Sequence, residues 1–270
     1  MSTNIVDTTY QHDIISKSVF MIYIRIEIIG VHMKLRIDKM LSNVGLGSRK
    51  QIKQVAKQGH IKINDVIEKD SSRLIDTDID VVKYKGETVK YVQFIYLMMN
   101  KPAGVVSATE DNHDKTVIDL LSEEDKFYEP FPVGRLDKDT EGLLLITNDG
   151  QLTHNLLSPK KHVDKIYYAE VEEEVTEQDV KAFADGVLLT NENYKTLSAK
   201  LEIIEAGYPS RCYVTIKEGK FHQVKRMFNA VNNEVIYLKR LTMGPISLDE
   251  DLKLGEYRHL TEEEFELLMV

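Results

Sequence analysis

The sequence has one cysteine, no tryptophan and no long uninterrupted apolar run. Cys212 on its own can form neither an intrachain disulfide nor a cysteine-based zinc site, so no residue indicates an oxidising compartment and we expect the cytoplasm. The 14 glycines and 6 prolines among 270 residues are too few for a collagen-like or low-complexity chain. With 42% hydrophobic and 29% charged residues, the composition is that of one large or two modest globular domains.

The most apolar stretch, Val19–Ile29, is about half as long as a membrane-spanning helix and contains Arg25 and Glu27. No basic region precedes it and no small-residue cleavage site follows it, which argues against a signal peptide. We therefore interpret it as neither an anchor nor a signal. Because the domain pattern begins only after Met33, we expect residues 1–32 to be an extension, either disordered or the product of a mis-called start.

The formal net charge of −9 argues against a protein that coats nucleic acid over its whole surface. This charge is unevenly distributed along the chain. Residues 34–73 carry ten basic and four acidic side chains, a net +6, which leaves −15 for the rest. Attraction to a polyanion is therefore concentrated in this segment.

Residues 34–63 have the pattern of two short helices followed by a strand. The apolar residues of the first helix recur with helical spacing before Gly45 ends it: Ile37, Met40, Leu41 and Val44. Ser48 is a suitable N-cap for the second helix, which Gly59 ends. The alternating residues His60–Ile63 predict a strand. Further strands are predicted around Asp78 to Val82 and Thr88 to Val92.

Three lysines recur with helical spacing along the second predicted helix and form a stripe: Lys50, Lys53 and Lys57. Such a stripe can track a phosphate backbone, or it can be an ordinary solvated surface. The segments around it resemble the S-four-like RNA-binding domain: Arg36–Leu41, Gly47–Lys50 and Gly59–Asn64. The resemblance implies a domain over residues 34–90 that holds structured RNA through shape and phosphate contacts. It implies RNA contacts by Arg36, Arg49, Lys50 and Lys53, and the stripe adds Lys57.

The chemistry-bearing part of the sequence begins with a buried-strand run, Phe94–Met99, and a turn. Its most unusual segment is Gly134–Gly150, in which acids and bases crowd a loop just before an apolar strand. Charges packed against a buried strand need partners, because an unpaired buried charge is costly. Composition alone allows a charged surface loop and does not separate Asp137 from Asp139 or Glu141.

Five segments occur in an order that resembles the motifs of the pseudouridine synthases: Leu97–Gly104, Gly134–Leu145, Lys165–Tyr167, Glu218–Met227 and Leu238–Pro245. The resemblance implies a catalytic domain over residues 94–262. Together with the leading domain, the residues His222–Met227 resemble the RsuA-type branch, which acts on small-subunit rRNA.

The fold class that we expect is α+β, with a mixed and mainly antiparallel sheet, because short strands and helices follow no regular βαβα repeat. Helices are predicted over residues 151–157, 176–185 and 221–231, and after Thr261. The resemblance agrees. It implies an enzyme that converts one uridine of 16S rRNA to pseudouridine, in free RNA or a small-subunit assembly intermediate. We expect a monomer that needs no metal or cofactor and binds no membrane.

Pseudouridine formation cleaves the bond from ribose to the uracil nitrogen, turns the base and rejoins it through carbon five. The reaction needs an ionised carboxylate near the sugar, acting as nucleophile or as base. By resemblance this is Asp137. A carboxylate shielded from water tends to protonate, so it needs a nearby cation, which the resemblance assigns to Lys225, with Arg226 as the alternative.

A uridine in folded RNA must leave its stack before it can react. By resemblance, Arg135 enters the vacated space, Tyr167 stacks on the extruded uracil and Leu238 packs on its other side. Tyr167 and Leu238 could instead pack in the core, and Tyr168 is the next residue after Tyr167. The resemblance implies that Lys101 supports the catalytic loop, and we take His222 as structural or RNA-facing.

Three other functions remain open at this stage. The same leading domain occurs in enzymes that modify 23S rRNA, and a chain with this fold can also be a noncatalytic assembly factor. A glycoside hydrolase using Asp137 with Asp139 or Glu141 would have two carboxylates. The sequence contains no tryptophan, and a glycoside hydrolase would not explain the basic segment, so both features count against it.

Overall fold

The computed structural model describes residues 34–77, 79–158, 161–189 and 193–269; the extension predicted over residues 1–32 lies outside them. The chain forms two compact units. The first contains residues 34–94 together with 123–129, and the second contains residues 95–122 and 130–269. The domain limits inferred from the sequence stay predictions. Among the described helices, none is both long and apolar enough to cross a membrane.

The strands are β1 (Lys34–Arg36), β2 (Ile61–Ile63), β3 (Val66–Ile67), β4 (Leu74–Asp76), β5 (Val82–Tyr84), β6 (Glu87–Thr88), β7 (Tyr96–Lys101), β8 (Phe131–Pro132), β9 (Glu141–Thr147), β10 (Lys165–Val171), β11 (Leu188–Leu189), β12 (Tyr194–Lys195), β13 (Lys200–Glu205), β14 (Ser210–Ile216), β15 (Val235–Met243), β16 (Ile246–Ser247) and β17 (Tyr257–His259). The helices are α1 (Ile37–Asn43), α2 (Arg49–Lys57), α3 (Glu123–Lys126), α4 (Gly150–Leu157), α5 (Glu177–Asp185), α6 (Gln223–Ala230) and α7 (Glu262–Met269), with a short 3₁₀ helix at Ile118–Leu120.

The first unit is built on the helical hairpin that the apolar spacing predicts, and both helices are confirmed. Ser48 caps α2 in a capping box: the Gln51 amide donates to Ser48 Oγ at 3.4 Å, and the Ser48 amide donates to Gln51 Oε1 at 2.8 Å. The apolar faces of α1 and α2 meet in one core, whose fully buried members include Ile37, Leu41 and Ile52. The cationic face of α2 therefore stays in water.

The sheets of the first unit are small: β3-β2-β5-β6, and the pair β1-β4. The strand predicted at His60–Ile63 is confirmed as β2. The strand predicted around Thr88 to Val92 is wrong beyond Thr88, and the one predicted around Asp78 to Val82 begins only at Val82. The chain turns inward after β6 because Tyr91 is buried in the helical core, where Asn43 Nδ2 donates to its hydroxyl at 3.3 Å.

The second unit contains a nine-stranded sheet in the order β13-β14-β10-β15-β9-β7-β17, with β16 beside β15 and β8 beside β9. Within the described part of this sheet every strand pair is antiparallel except β9 with β15. The expected α+β class with a mixed, mainly antiparallel sheet is confirmed. Helices α4 to α7 match the predicted helices to within two residues at the predicted ends.

The parallel pair β9–β15 joins the two halves of the sheet, and Gly142 makes it possible. Gly142 lies opposite Arg240 and has a backbone φ of +100°, where side chains are strained. A Cβ at this position would overlap the Arg240 carbonyl oxygen and lie 2.8 Å from its amide nitrogen. The glycine thus lets two backbones meet directly beside the charged loop that precedes β9.

Candidate active site

The loop that carries Asp137 lies between β8 and β9, and the turn after β7 holds its backbone. The Gly104 amide donates to the Lys138 carbonyl at 2.7 Å. The Ser107 hydroxyl donates to the Leu136 carbonyl at 2.9 Å and accepts from the Leu136 amide at 3.1 Å. These paired bonds fix the backbone on both sides of Asp137.

Lys101, the last residue of β7, is fully buried under this loop. Its Nζ donates to the carbonyl oxygens of Asp137 at 3.0 Å and Thr140 at 2.9 Å, and also to that of Pro102 at 3.1 Å. Lys101 therefore supports the loop, as the resemblance implied. Burial lowers the pKa of Lys101 to about 8, against the opposing pull of nearby carboxylates, first that of Asp139.

The lowered pKa of Lys101 predicts how stability changes with pH. In the unfolded chain the amine keeps its proton up to about 10.5, whereas in the folded protein it releases it near 8. Between these values the unfolded state binds more protons, so raising the pH favours folding, by at most about 1.4 kcal/mol per pH unit. Chemical denaturation at pH 7.5 to 9.5 should show this rise in wild type and not in Lys101→Met. Equal slopes for the two proteins would contradict the prediction.

The carboxylate of Asp137 lies between two basic side chains of the segment that begins α6. His222 Nε2 is 3.5 Å from its Oδ1, and Lys225 Nζ is 3.6 Å from its Oδ2. The Asp137 side chain is 24% exposed, so it is shielded and still reachable. Lys225 and, when protonated, His222 therefore lie within ion-pair distance of the Asp137 carboxylate.

Lys225 contacts a second carboxylate more closely than the one the sequence assigned to it. Its Nζ lies 2.5 Å from Asp139 Oδ1, on a side chain that is 72% exposed. Burial acts to raise the pKa of Asp139, but the hydrogen bond and charge of Lys225 outweigh it and hold this pKa below its usual range. Lys225 is thus shared between the two acids. The third acid, Glu141, accepts a hydrogen bond of 2.7 Å from the Tyr237 hydroxyl.

Sequence reasoning missed the contact of His222 with Asp137. His222 is the N-cap of α6 in a left-handed conformation, with φ of 47°, and its ring stacks on the exposed Phe221 at 3.8 Å between centroids. The spacing held a usable signal. Residues three apart at the start of a helix are neighbours, so His222 and Lys225 can reach one carboxylate together.

Tyr167 and Leu238 lie on the buried face of the sheet, in β10 and β15. Tyr167 pairs with Arg240, and Ala169 pairs with Leu238, so all four side chains share one face. Tyr168 faces the other way, where its hydroxyl donates to Glu170 at 2.7 Å. Among the described residues no hydrogen bond or ion pair joins Tyr167 or Leu238 to Asp137.

The two predicted arginines of the site differ in their surroundings. Arg135 is exposed in the loop before Asp137. Arg226 donates from Nη1 to the Phe221 carbonyl at 3.2 Å, which braces the turn into α6. Lys225, and not Arg226, is therefore the cation that this structure places beside Asp137.

The predicted RNA-binding residues lie in the first unit. The α2 cations are all exposed: Arg49, Lys50, Lys53 and Lys57. Arg36 instead forms an ion pair with Asp38, with Nη2 at 2.6 Å and Nε at 3.0 Å. Its hydrogen bond lowers the pKa of Asp38. Arg36 is thus tied to a carboxylate, while the α2 cations face water.

Two segments of the chain match known protein families. Residues 95–230 match the family model described as RNA pseudouridylate synthase, and residues 35–78 match the S4 domain. A Bacillus subtilis protein named uncharacterized RNA pseudouridine synthase YtzG is 54% identical over 235 residues, which cover 87% of this chain and 98% of that one. The chain belongs to the RNA pseudouridylate synthase family.

A second relative and a solved structure are also similar to most of this chain. A Vibrio cholerae protein named ribosomal small subunit pseudouridine synthase A is 41% identical over 234 residues, or 85% of this chain and 97% of that one. A crystal structure described as a pseudouridylate synthase superposes with a TM-score of 0.61 at 37% identity, covering 87% of this chain and 99% of that chain. The chain is therefore an RNA pseudouridine synthase with a leading S4 domain.

Proposed function

We propose that this synthase converts one uridine of 16S rRNA to pseudouridine, with Asp137 as its catalytic carboxylate. It acts as a monomer in the cytoplasm, on free RNA or on a small-subunit assembly intermediate. The similarity to proteins named ribosomal small subunit pseudouridine synthase A supports the choice of RNA. The basic segment of the first unit supports an RNA that is held mainly through its phosphates.

The observation that carries the assignment of Asp137 is its carboxylate, shielded and held within 3.6 Å of Lys225 and 3.5 Å of His222. The reaction detaches uracil from the sugar and rejoins the two, so it needs a group that acts on the sugar and stays ionised before it does so. Asp139 is too exposed for that role, and Glu141 already accepts a bond from Tyr237. Asp137 serves as nucleophile or base at the ribose.

The other assigned side chains handle the extruded base. Tyr167 provides a flat ring for the uracil, a contact worth about 1 to 3 kcal/mol. Leu238, on the same sheet face, packs against the base from its other side. Arg135, exposed at the loop, enters the space that the base leaves, and Arg226 braces the α6 turn near the RNA.

The α2 lysines should contribute salt-dependent RNA affinity. Changing Lys50, Lys53 and Lys57 to glutamine should weaken binding and reduce the slope of log affinity against log salt by about 2 to 3, because up to three phosphate contacts are lost. Fluorescence anisotropy with 16S rRNA fragments at several salt concentrations measures this. The matched control changes three exposed lysines of the second unit to glutamine: Lys195, Lys200 and Lys253. This control removes the same amount of charge. Equal slopes for the two triple variants would mean that the stripe is only solvated.

The experiment that tests the proposed function is conversion of unmodified transcripts by the purified protein. The transcripts are 16S and 23S rRNA, each free and with its ribosomal proteins, and pseudouridines are mapped afterwards. We expect one site in 16S rRNA. A site in 23S rRNA alone would correct the substrate, and no site in either would refute the proposed function.

A further inference from the structure

Two buried cations flank Tyr167 in the sheet. Lys165 lies two residues before Tyr167 on β10, and Arg240 pairs directly with Tyr167 from β15, so the three side chains share the buried face. Arg240 is only 2% exposed, and Lys165 is also buried. The site proposed to receive the uracil therefore has positive charge on its inner side.

Neither cation has a carboxylate partner within the described parts of the chain. Lys165 Nζ donates to the Val163 carbonyl at 2.9 Å, and Arg240 Nε donates to the Leu143 carbonyl at 2.8 Å. The buried Arg240 Nη2 has no hydrogen-bond partner among the described residues. A buried guanidinium with an unused donor is destabilising compared with a paired one.

The two cations also act on each other. Burial, and then the positive charge of Arg240, lower the pKa of Lys165, against the smaller opposing effect of the Asp164 charge. Two mutually repelling cations are a poor choice for holding a core together. They become favourable when a negative charge forms beside them, and a site without water strengthens that attraction.

We propose that Arg240, assisted by Lys165, binds the uracil ring and stabilises its anion while the base is detached from the sugar. This inference rests on the proposed function. When the C1′–N1 bond breaks, its electron pair stays on N1 and is delocalised onto the two ring carbonyl oxygens. One of these accepts from Arg240 Nη2. After the ring turns, C5 supplies the pair for the new bond to C1′, a proton leaves C5, and N1 gains one, so no atom or electron is lost.

The depth of the pair favours the base over a phosphate as the ligand. The extruded base is the part of a nucleotide that enters farthest into a protein, whereas its phosphates follow the surface. Arg240 is nearly inaccessible and faces the same side as Tyr167, the ring assigned to the uracil. Its free donor is therefore placed for a carbonyl oxygen of that ring.

The test uses a better leaving group. An RNA fragment containing the mapped site is made with uridine or 5-fluorouridine at the target, because fluorine lowers the pKa of the ring and stabilises its anion without help from the protein. Single-turnover loss of the starting nucleotide is measured for wild type, Arg240→Met, Arg240→Lys and Lys165→Met. Arg211→Met is the control, since Arg211 is an exposed arginine on the opposite face of the same sheet.

We expect Arg240→Met to slow uridine loss about a hundredfold and 5-fluorouridine loss only about tenfold, because the fluorinated ring needs less stabilisation. Arg240→Lys should fall between wild type and Arg240→Met, and Arg211→Met should change neither rate. A loss of the same size for both bases, or no loss, overturns the proposal. If Arg240→Met does not fold, the test uses the ratio of the uridine rate to the 5-fluorouridine rate in Arg240→Lys and Lys165→Met. A ratio equal to that of wild type in both variants overturns the proposal. Failure of wild type to convert uridine refutes the proposed function and this inference with it.

Discussion

Replacing Asp137 by asparagine should abolish pseudouridine formation while the protein stays folded and binds RNA. Asparagine keeps the shape of the side chain but cannot act as nucleophile or base, so we expect a loss of at least about a thousandfold. The reaction expels the hydrogen at uracil C5, and tritium released from RNA labelled there measures the rate. RNA affinity should change little, because the α2 cations that we assign to phosphate binding lie in the other unit.

Asp139→Asn is the matched control, since it removes a carboxylate from the same loop and the same lysine. Asp139 binds Lys225 at 2.5 Å but is largely exposed. We expect a loss of less than about tenfold, caused by a Lys225 that is held less firmly. A larger loss in Asp139→Asn than in Asp137→Asn would move the catalytic role to Asp139.

Gly142→Ala should have the largest effect on stability. The added Cβ meets the backbone of Arg240, which cannot move without separating β9 from β15, and the φ of +100° adds strain. Together these should lower the free energy of unfolding by about 4 kcal/mol, with loss of activity even in protein that folds. Urea denaturation followed by circular dichroism measures the change.

Gly150→Ala provides the comparison for that experiment. Gly150 begins α4, and a Cβ there meets nothing within 4 Å. Since alanine also favours helix over glycine, this variant should be as stable as wild type or slightly more stable. Similar destabilisation of both variants would contradict the role given to the close approach at Gly142.

Local patterns were sufficient to predict six of the seven described α-helices, whereas α3 was not predicted. The spacing of Ile37, Met40 and Leu41 and the Ser48 cap act within one or two turns, so they can be interpreted without the fold. The strand end after Thr88 could not be predicted, because it depends on where Tyr91 is buried. The clustering of residues 123–129 with the first unit also depends on contacts between distant parts of the sequence.

The candidate site likewise combines residues that sequence motifs identify with contacts that only the fold determines. The motifs that carry the resemblance single out Asp137, Tyr167 and Lys225, but the sequence does not say which carboxylate Lys225 approaches more closely. His222 was underestimated because its contact depends on the left-handed turn into α6. Arg240 was passed over as part of a motif, since its place beside Tyr167 follows only from the register of β10 and β15.

The most direct test of the central claim is to map pseudouridines in cells. Carbodiimide-blocked primer extension on 16S and 23S rRNA compares cells that have the gene, cells that lack it, and cells complemented with wild type or Asp137→Asn. The account predicts that one 16S stop disappears without the gene and returns with wild type, but not with Asp137→Asn. Unchanged stops in both rRNAs, or a stop restored by Asp137→Asn, would contradict it.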